Sequence, residues 1–165
     1  MTVVGITETS QYLTFTLDEE LYALDIGKVR EVLEFEGVTK VPRTPDFMRG
    51  VINLRGNVVP VVDLRLKFGM TRTEKRVSTC IVITEVVVDG ETTVLGVLAD
   101  AVQEVLDLES GQIDPPPRLG TRLDTSFIQG MGKREEEFIV LLDIDKIFTA
   151  QEMDRVGGAT VQNAA

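Results

Sequence analysis

Phe47-Met48-Arg49-Gly50-Val51, followed by Val61-Val62-Asp63-Leu64, returns later in the chain as Phe127-Ile128-Gln129-Gly130-Met131, followed by Leu141-Leu142-Asp143-Ile144. Upstream of these, Val29-Arg30-Glu31-Val32-Leu33-Glu34 is matched by Val102-Gln103-Glu104-Val105-Leu106-Asp107. Leu64 stands four residues before Phe68, as Ile144 stands four before Phe148. A chain that matches itself in this way is a duplicated supersecondary unit.

The unit reads as strands. Gln11 to Leu17 alternates Leu13, Phe15 and Leu17 with Tyr12, Thr14 and Thr16, and after the Asp18-Glu19 turn Leu21 to Ile26 completes a hairpin. Arg30 to Phe35, Val51 to Leu54 and, past the turn Arg55-Gly56-Asn57, Val58 to Leu64 supply three more runs. Pro60 points to an edge or a bulge, because it has no N–H to give a ladder. The second series is Thr79 to Val88, the Asp89-Gly90 turn, Thr93 to Ala99, Gln103 to Leu108, a short run from Phe127 to Met131, and Phe138 to Ile144.

The expected architecture is all-β: two similar five-stranded barrels, residues 10–76 and 77–150, with short helices and a tail over 151–165. Each half is about 70 residues, a size at which only about 60% of the unfolded surface is buried, so the two are expected to share a hydrophobic interface. No Gly/Ser linker separates them. Asp114-Pro115-Pro116-Pro117 is a stiff extended segment, either a linker or a presented edge. The stretch from Asp154 to Ala165 has little to bury and is expected to be disordered.

Composition narrows the function. In 165 residues there is no histidine, which excludes a Ser-His or Cys-His nucleophile and an imidazole zinc site. Asp143 and Asp145 remain conceivable as an acid–base pair or as oxygen ligands, although Asp145 lies where a strand gives way to Lys146-Ile147-Phe148 and suits a turn or N-cap. No cofactor is expected. The single cysteine, Cys80, lies in the run Cys80-Ile81-Val82-Ile83 and reads as a core thiol. A net charge of −10 opposes nucleic-acid binding, yet between Lys40 and Arg76 nine basic residues face three acidic ones. That island is either a solvated face or a surface for an acidic protein partner. Met1 to Gly5 lacks the start of a signal peptide, and no run of apolar residues is long enough to span a bilayer, so a cytoplasmic protein without direct membrane insertion is expected.

The run from Thr44-Pro45-Asp46-Phe47 through Asn53-Leu54-Arg55-Gly56 to Val61-Val62-Asp63-Leu64-Arg65 resembles the signature of the CheW family of bacterial chemotaxis. The likeness extends to Tyr12-Leu13-Thr14-Phe15, Leu24-Asp25-Ile26, Gly96-Val97-Leu98-Ala99-Asp100 and Gln112-Ile113 through Pro117, over residues 10–150. It implies two SH3-like barrels and a non-catalytic adaptor that joins the CheA histidine kinase to the cytoplasmic tips of methyl-accepting chemoreceptors in membrane-associated arrays. It further implies a contact with the kinase regulatory domain at Val38 and Val41, and a second near Asp114 and Leu119. Some relatives carry a basic residue where Asp114 stands. The receptor-facing groove matches Val29, Glu31, Gly50, Arg55 and Gly56. An adaptor of a related pathway, such as twitching motility, shares these features, and a small-molecule-binding or carboxylate-dependent enzyme using the cleft between the barrels is the alternative of another class.

Overall fold

The computed structural model describes residues 9–116 and 126–156. Among the described residues eleven strands follow one another: β1 (Thr9–Leu17), β2 (Glu20–Asp25), β3 (Val29–Glu34), β4 (Met48–Leu54), β5 (Asn57–Asp63), β6 (Cys80–Val88), β7 (Glu91–Ala99), β8 (Ala101–Glu109), β9 (Ile113–Asp114), β10 (Ile128–Arg134) and β11 (Glu137–Leu142). One helical turn, α1 (Leu64–Lys67), follows β5, and a second helix, α2, covers 150–156.

The strands form two sheets, ordered β3-β6-β7-β5-β4 and β8-β1-β2-β11-β10-β9, each curled on itself as an SH3-like barrel. The division expected between residues 76 and 77 is therefore not the one the strands follow. The first repeat supplies β3, β4 and β5 to the first barrel but sends its β1–β2 hairpin into the second. The second repeat returns β6–β7 to the first. The reason lies in the connections. Only Asp100 separates β7 from β8, too short for the chain to reverse, and its N–H already bonds to Thr16 of β1 at 3.0 Å. The exchanged hairpins seat by the parallel pairings Val61↔Gly96 and Leu141↔Ala23, at corresponding positions.

Even the irregularities repeat. A bulge between Met48 and Gly50 has its counterpart between Ile128 and Gly130, and one in β3 between Val29 and Glu31 is matched in the β1–β8 pair. Pro60 lies in an interior strand, but the parallel register with β7 begins only at Val61, so the ladder does not call on its missing N–H.

Strands buried on both faces read as unbroken apolar runs. Ile81 and Ile83 point into the first barrel, with Phe35, Val59 and Val61, while Val82 and Val86 point to the shared core. Ile139 and Leu141 likewise fill the second barrel with Tyr12 and Leu108, and Leu142 joins the shared core. That shared core draws on both repeats, from Phe15 and Leu24 to Val97 and Phe148.

The C-terminal expectation is corrected over 154–156. Val156 is fully buried and Met153 nearly so, three residues apart on one face of α2. Thr149 and Glu152 start the helix with a capping box: Thr149 N donates to Glu152 Oε1 at 2.9 Å and Glu152 N to Thr149 Oγ1 at 3.1 Å. Residues 157–165 lie outside the described residues. Cys80 is half-buried, with its thiol donating to the Ser78 carbonyl, because it opens β6 at the margin of the core.

Candidate functional site

The β4–β5 hairpin closes on two residues, Arg55 and Gly56, with φ of 51° and 89°. Such a turn matches the twist of its strands but needs left-handed backbone at both positions, which Gly56 supplies freely and Arg55 adopts at some strain. Asn53 helps to hold it, its Oδ1 accepting from Gly56 N at 2.8 Å. The turn carries the Arg55 guanidinium to the Glu31 carboxylate on β3, with both terminal nitrogens donating, one of them at 3.2 Å. The hydrogen bond from Arg55 holds Glu31 below the usual carboxylate range against desolvation, with the charges of Arg55 and Arg30 adding to it.

This pair stands on the rim of a groove of about 960 Å³. Leu54, Val59, Pro60 and Val94 give the groove apolar lining, and Met153 and Asp154 of α2 contribute to its wall. Of the receptor-assigned residues, the structure brings together Glu31, Arg55 and Gly56. Val29 is half-buried against the shared core. Gly50 is buried elsewhere, where a Cβ would collide with the Thr39 carbonyl and press on Val38 Cγ2. Its missing side chain lets the 38–41 segment lie against β4, through Thr39 N to Val51 O at 2.9 Å and Val51 N to Thr39 O at 2.8 Å.

Gly50 thus belongs structurally with the residues assigned to the kinase. Val38 and Val41 are both half-buried, Val38 packing on the core of the first barrel and Val41 on the shared core. Val38 also lines a separate depression with Val32, Leu33 and Ile52.

On the second barrel, Asp114 pairs with Met131 in the ladder and its carboxylate meets Lys133 Nζ at 3.2 Å. Leu119 and Pro117 lie outside the described residues. Sequence comparison of the two repeats sets the Asn53-Leu54-Arg55-Gly56 turn against the charged Lys133-Arg134-Glu135-Glu136, a turn of different chemistry. The second turn carries an ion pair of its own: Arg134 Nη1 donates to Glu104 Oε1 at 2.7 Å. Thr14 fixes the Glu104 backbone at the bulge, donating to its carbonyl at 2.7 Å and accepting from its N–H at 3.1 Å.

The remaining candidates are engaged within the fold. Asp143, rather than Asp145, caps the turn that follows β11, accepting from Asp145 N at 3.2 Å. Asp145 instead accepts from Lys28 Nζ at 2.7 Å and from Val87 N at 2.8 Å. The basic island is largely spent inside the molecule. Arg49 and Thr73 converge on the fully buried Asp63, Arg65 reaches Asp100 at 2.7 Å, and Lys67 holds Glu152. Among the described residues, Lys40, Arg43, Arg72 and Lys75 are its exposed members without an ion pair, Lys75 donating instead to the Glu36 carbonyl at 2.8 Å. Among the described residues no group of three or more carboxylates and thiols is placed to hold a metal ion, and no helix is long and apolar enough to cross a membrane.

Comparison with known proteins converges on one kind. Residues 11–152 match the family model of the CheW-like domain. The chain is 37% identical over 163 residues to the chemotaxis protein CheW of Klebsiella aerogenes, covering 99% of this chain and 93% of that one. It is 33% identical over 144 residues to the protein FrzA of Myxococcus xanthus, covering 79% of this chain and 85% of the other. The crystal structure of the scaffolding protein TtCheW from Thermoanaerobacter tengcongensis superposes with a TM-score of 0.75 at 36% identity, over 88% of this chain and 96% of that one.

Proposed function

This chain belongs to the CheW-like family, and from that premise we propose that it is a non-catalytic adaptor which couples the histidine kinase CheA to the cytoplasmic tip of a chemoreceptor. The observation that carries the reading is the presence of two depressions on the first barrel that share no lining residue. One is the groove bordered by Glu31 and Arg55, and the other is the hollow beside Val38. Along β3 and β4 they take neighbouring residues, Val32 and Asn53 lining the hollow while Glu31 and Leu54 line the groove.

The kinase regulatory domain takes the Val38–Val41 edge, where an apolar surface excludes water from the contact. The receptor tip, a helical segment, takes the groove, laying apolar side chains on Leu54 and Val58 while the Glu31–Arg55 pair fixes its polar edge. Held between two partners, the rigid barrel passes a small receptor movement to the kinase as a change in the balance of its conformations. The protein then works in the cytoplasm, recruited to membrane-associated arrays through its receptor. Mixing the chain with a kinase regulatory domain and a receptor cytoplasmic fragment tests the reading. The expected result is one ternary species on size exclusion, and separate binary species only would contradict it.

The likeness to FrzA supports a second reading, in which the same coupling serves a related pathway. The two differ in partner, and binding assays against the kinase and receptors of each pathway separate them.

A further inference from the structure

α2 has seven residues, too few to persist as a helix without tertiary support. Its inner face is held by Met153 and Val156, and its first turn by the capping box of Thr149 and Glu152. A third anchor comes from the other repeat. Lys67, at the end of α1, donates to both oxygens of Glu152 at 2.7 and 2.6 Å. The same ammonium lies 5.3 Å from the centroid of Phe47 and 5.8 Å from that of Phe148, rings that pack on each other at 5.4 Å. The two charges are mostly withdrawn from solvent, their side chains 21% and 25% exposed, so the pair is screened less than a surface bridge. Glu152 reflects this balance: burial pushes its carboxyl up, but the hydrogen bonds from Lys67 and Thr149 leave it below its ordinary value.

We propose that Lys67 is a positioning residue for the receptor groove: by clamping Glu152 across two aromatic rings it holds α2 in place as the wall that Ala150 and Asp154 present. The inference rests on the reading of that groove as receptor-facing. The docked helix lends the groove Ala150, Met153 and Asp154, and release of α2 leaves a receptor segment with one wall fewer to pack on. The kinase-facing hollow at Val38 has no lining residue from α2 or α1, so its function does not pass through the clamp.

The test replaces Lys67 by Met, which keeps the stem over the rings and removes the ammonium. Hydrogen exchange should show lost protection over 150–156, and affinity for a receptor cytoplasmic fragment should fall by about tenfold or more while affinity for the kinase regulatory domain stays within about twofold. Lys67→Arg, which keeps a cation over the rings and two donors for Glu152, should behave as wild type. Lost protection with unchanged receptor affinity, or equal losses toward both partners, would overturn the inference alone. A wild-type protein that holds the kinase domain but no receptor fragment would overturn the reading of the groove, and this inference with it.

Discussion

Arg134 donates to the Glu104 carboxylate at 2.7 Å on the second barrel, where Arg55 and Glu31 are paired on the first. Glu104 corresponds to Glu31 in the repeat, but Arg134 corresponds to Leu54, one residue ahead of Arg55. Similar ion pairs therefore stand in different surroundings. Val58, which lines the groove of the first barrel, is replaced by Phe138, 60% exposed beside the acidic Glu135-Glu136-Glu137 turn.

Receptor binding should accordingly depend on one pair and not on the other. Arg55→Glu sets two carboxylates against each other on the groove rim and should weaken receptor binding by at least about tenfold, more at low salt than at high, with kinase binding retained. Arg134→Glu should leave both affinities within about twofold. Titration calorimetry at two salt concentrations measures both, and equal effects of the two substitutions would remove Arg55 from the contact.

Val38→Asp or Val41→Asp should weaken binding of the kinase regulatory domain by at least about 2 kcal/mol, roughly thirtyfold, because each places an unpaired carboxylate in an apolar contact. Both valines also touch core, so a circular dichroism melt must show each variant folded. Unchanged kinase affinity in a folded variant would return these residues to packing.

Fragments cut between residues 76 and 77 should not fold separately. Each would lack the hairpin that completes its barrel: β6–β7 for the first repeat, β1–β2 for the second. Mixed together they should recover native hydrogen-exchange protection, since the exchanged hairpins bring most of the shared core with them. Independent folding of either fragment would contradict the strand exchange.

Acid should release α2 and open the Glu31–Arg55 pair. The carboxyls of Glu152 and Glu31 both lie below their ordinary values in the folded chain, so what they contribute is fully present above the unfolded carboxylate pKa and is lost as pH falls through the lowered folded values. Amide exchange over 150–156 should lose protection in that acidic window while β6 and β7 stay protected, and the Lys67→Met variant should lose it already at neutral pH. Protection over 150–156 that does not change with pH would contradict the role of Glu152.

Much of this was legible in the sequence, for local reasons. Apolar alternation located the strands, the matched segments fixed which strands correspond, and the Asn53-Leu54-Arg55-Gly56 motif pointed to the hairpin tip. The partners of those strands were not legible. Val29 to Glu34 and Val102 to Asp107 are nearly the same edge, so β1 suits either, and the choice falls to the single-residue link at Asp100. The Arg134–Glu104 pair escaped alignment because its arginine is displaced by one position. α2 was missed although Thr149-Ala150-Gln151-Glu152 before Met153 is a readable capping box; the glycines at 157 and 158 outweighed it. Gly50 was placed with the groove by resemblance, whereas the clash of a Cβ with Thr39 is a fact of tertiary packing.

The central claim is that both partners are held at once, and an immobilised receptor fragment tests it most directly. Kinase regulatory domain flowed over the receptor surface alone, then with this chain, should be retained only when the chain is present, in proportion to the chain bound. Arg55→Glu should abolish retention by detaching the chain from receptor, and Val38→Asp should abolish it while the chain itself stays bound. Displacement of the chain from the receptor by added kinase domain would show that the two surfaces are one, and would contradict the account.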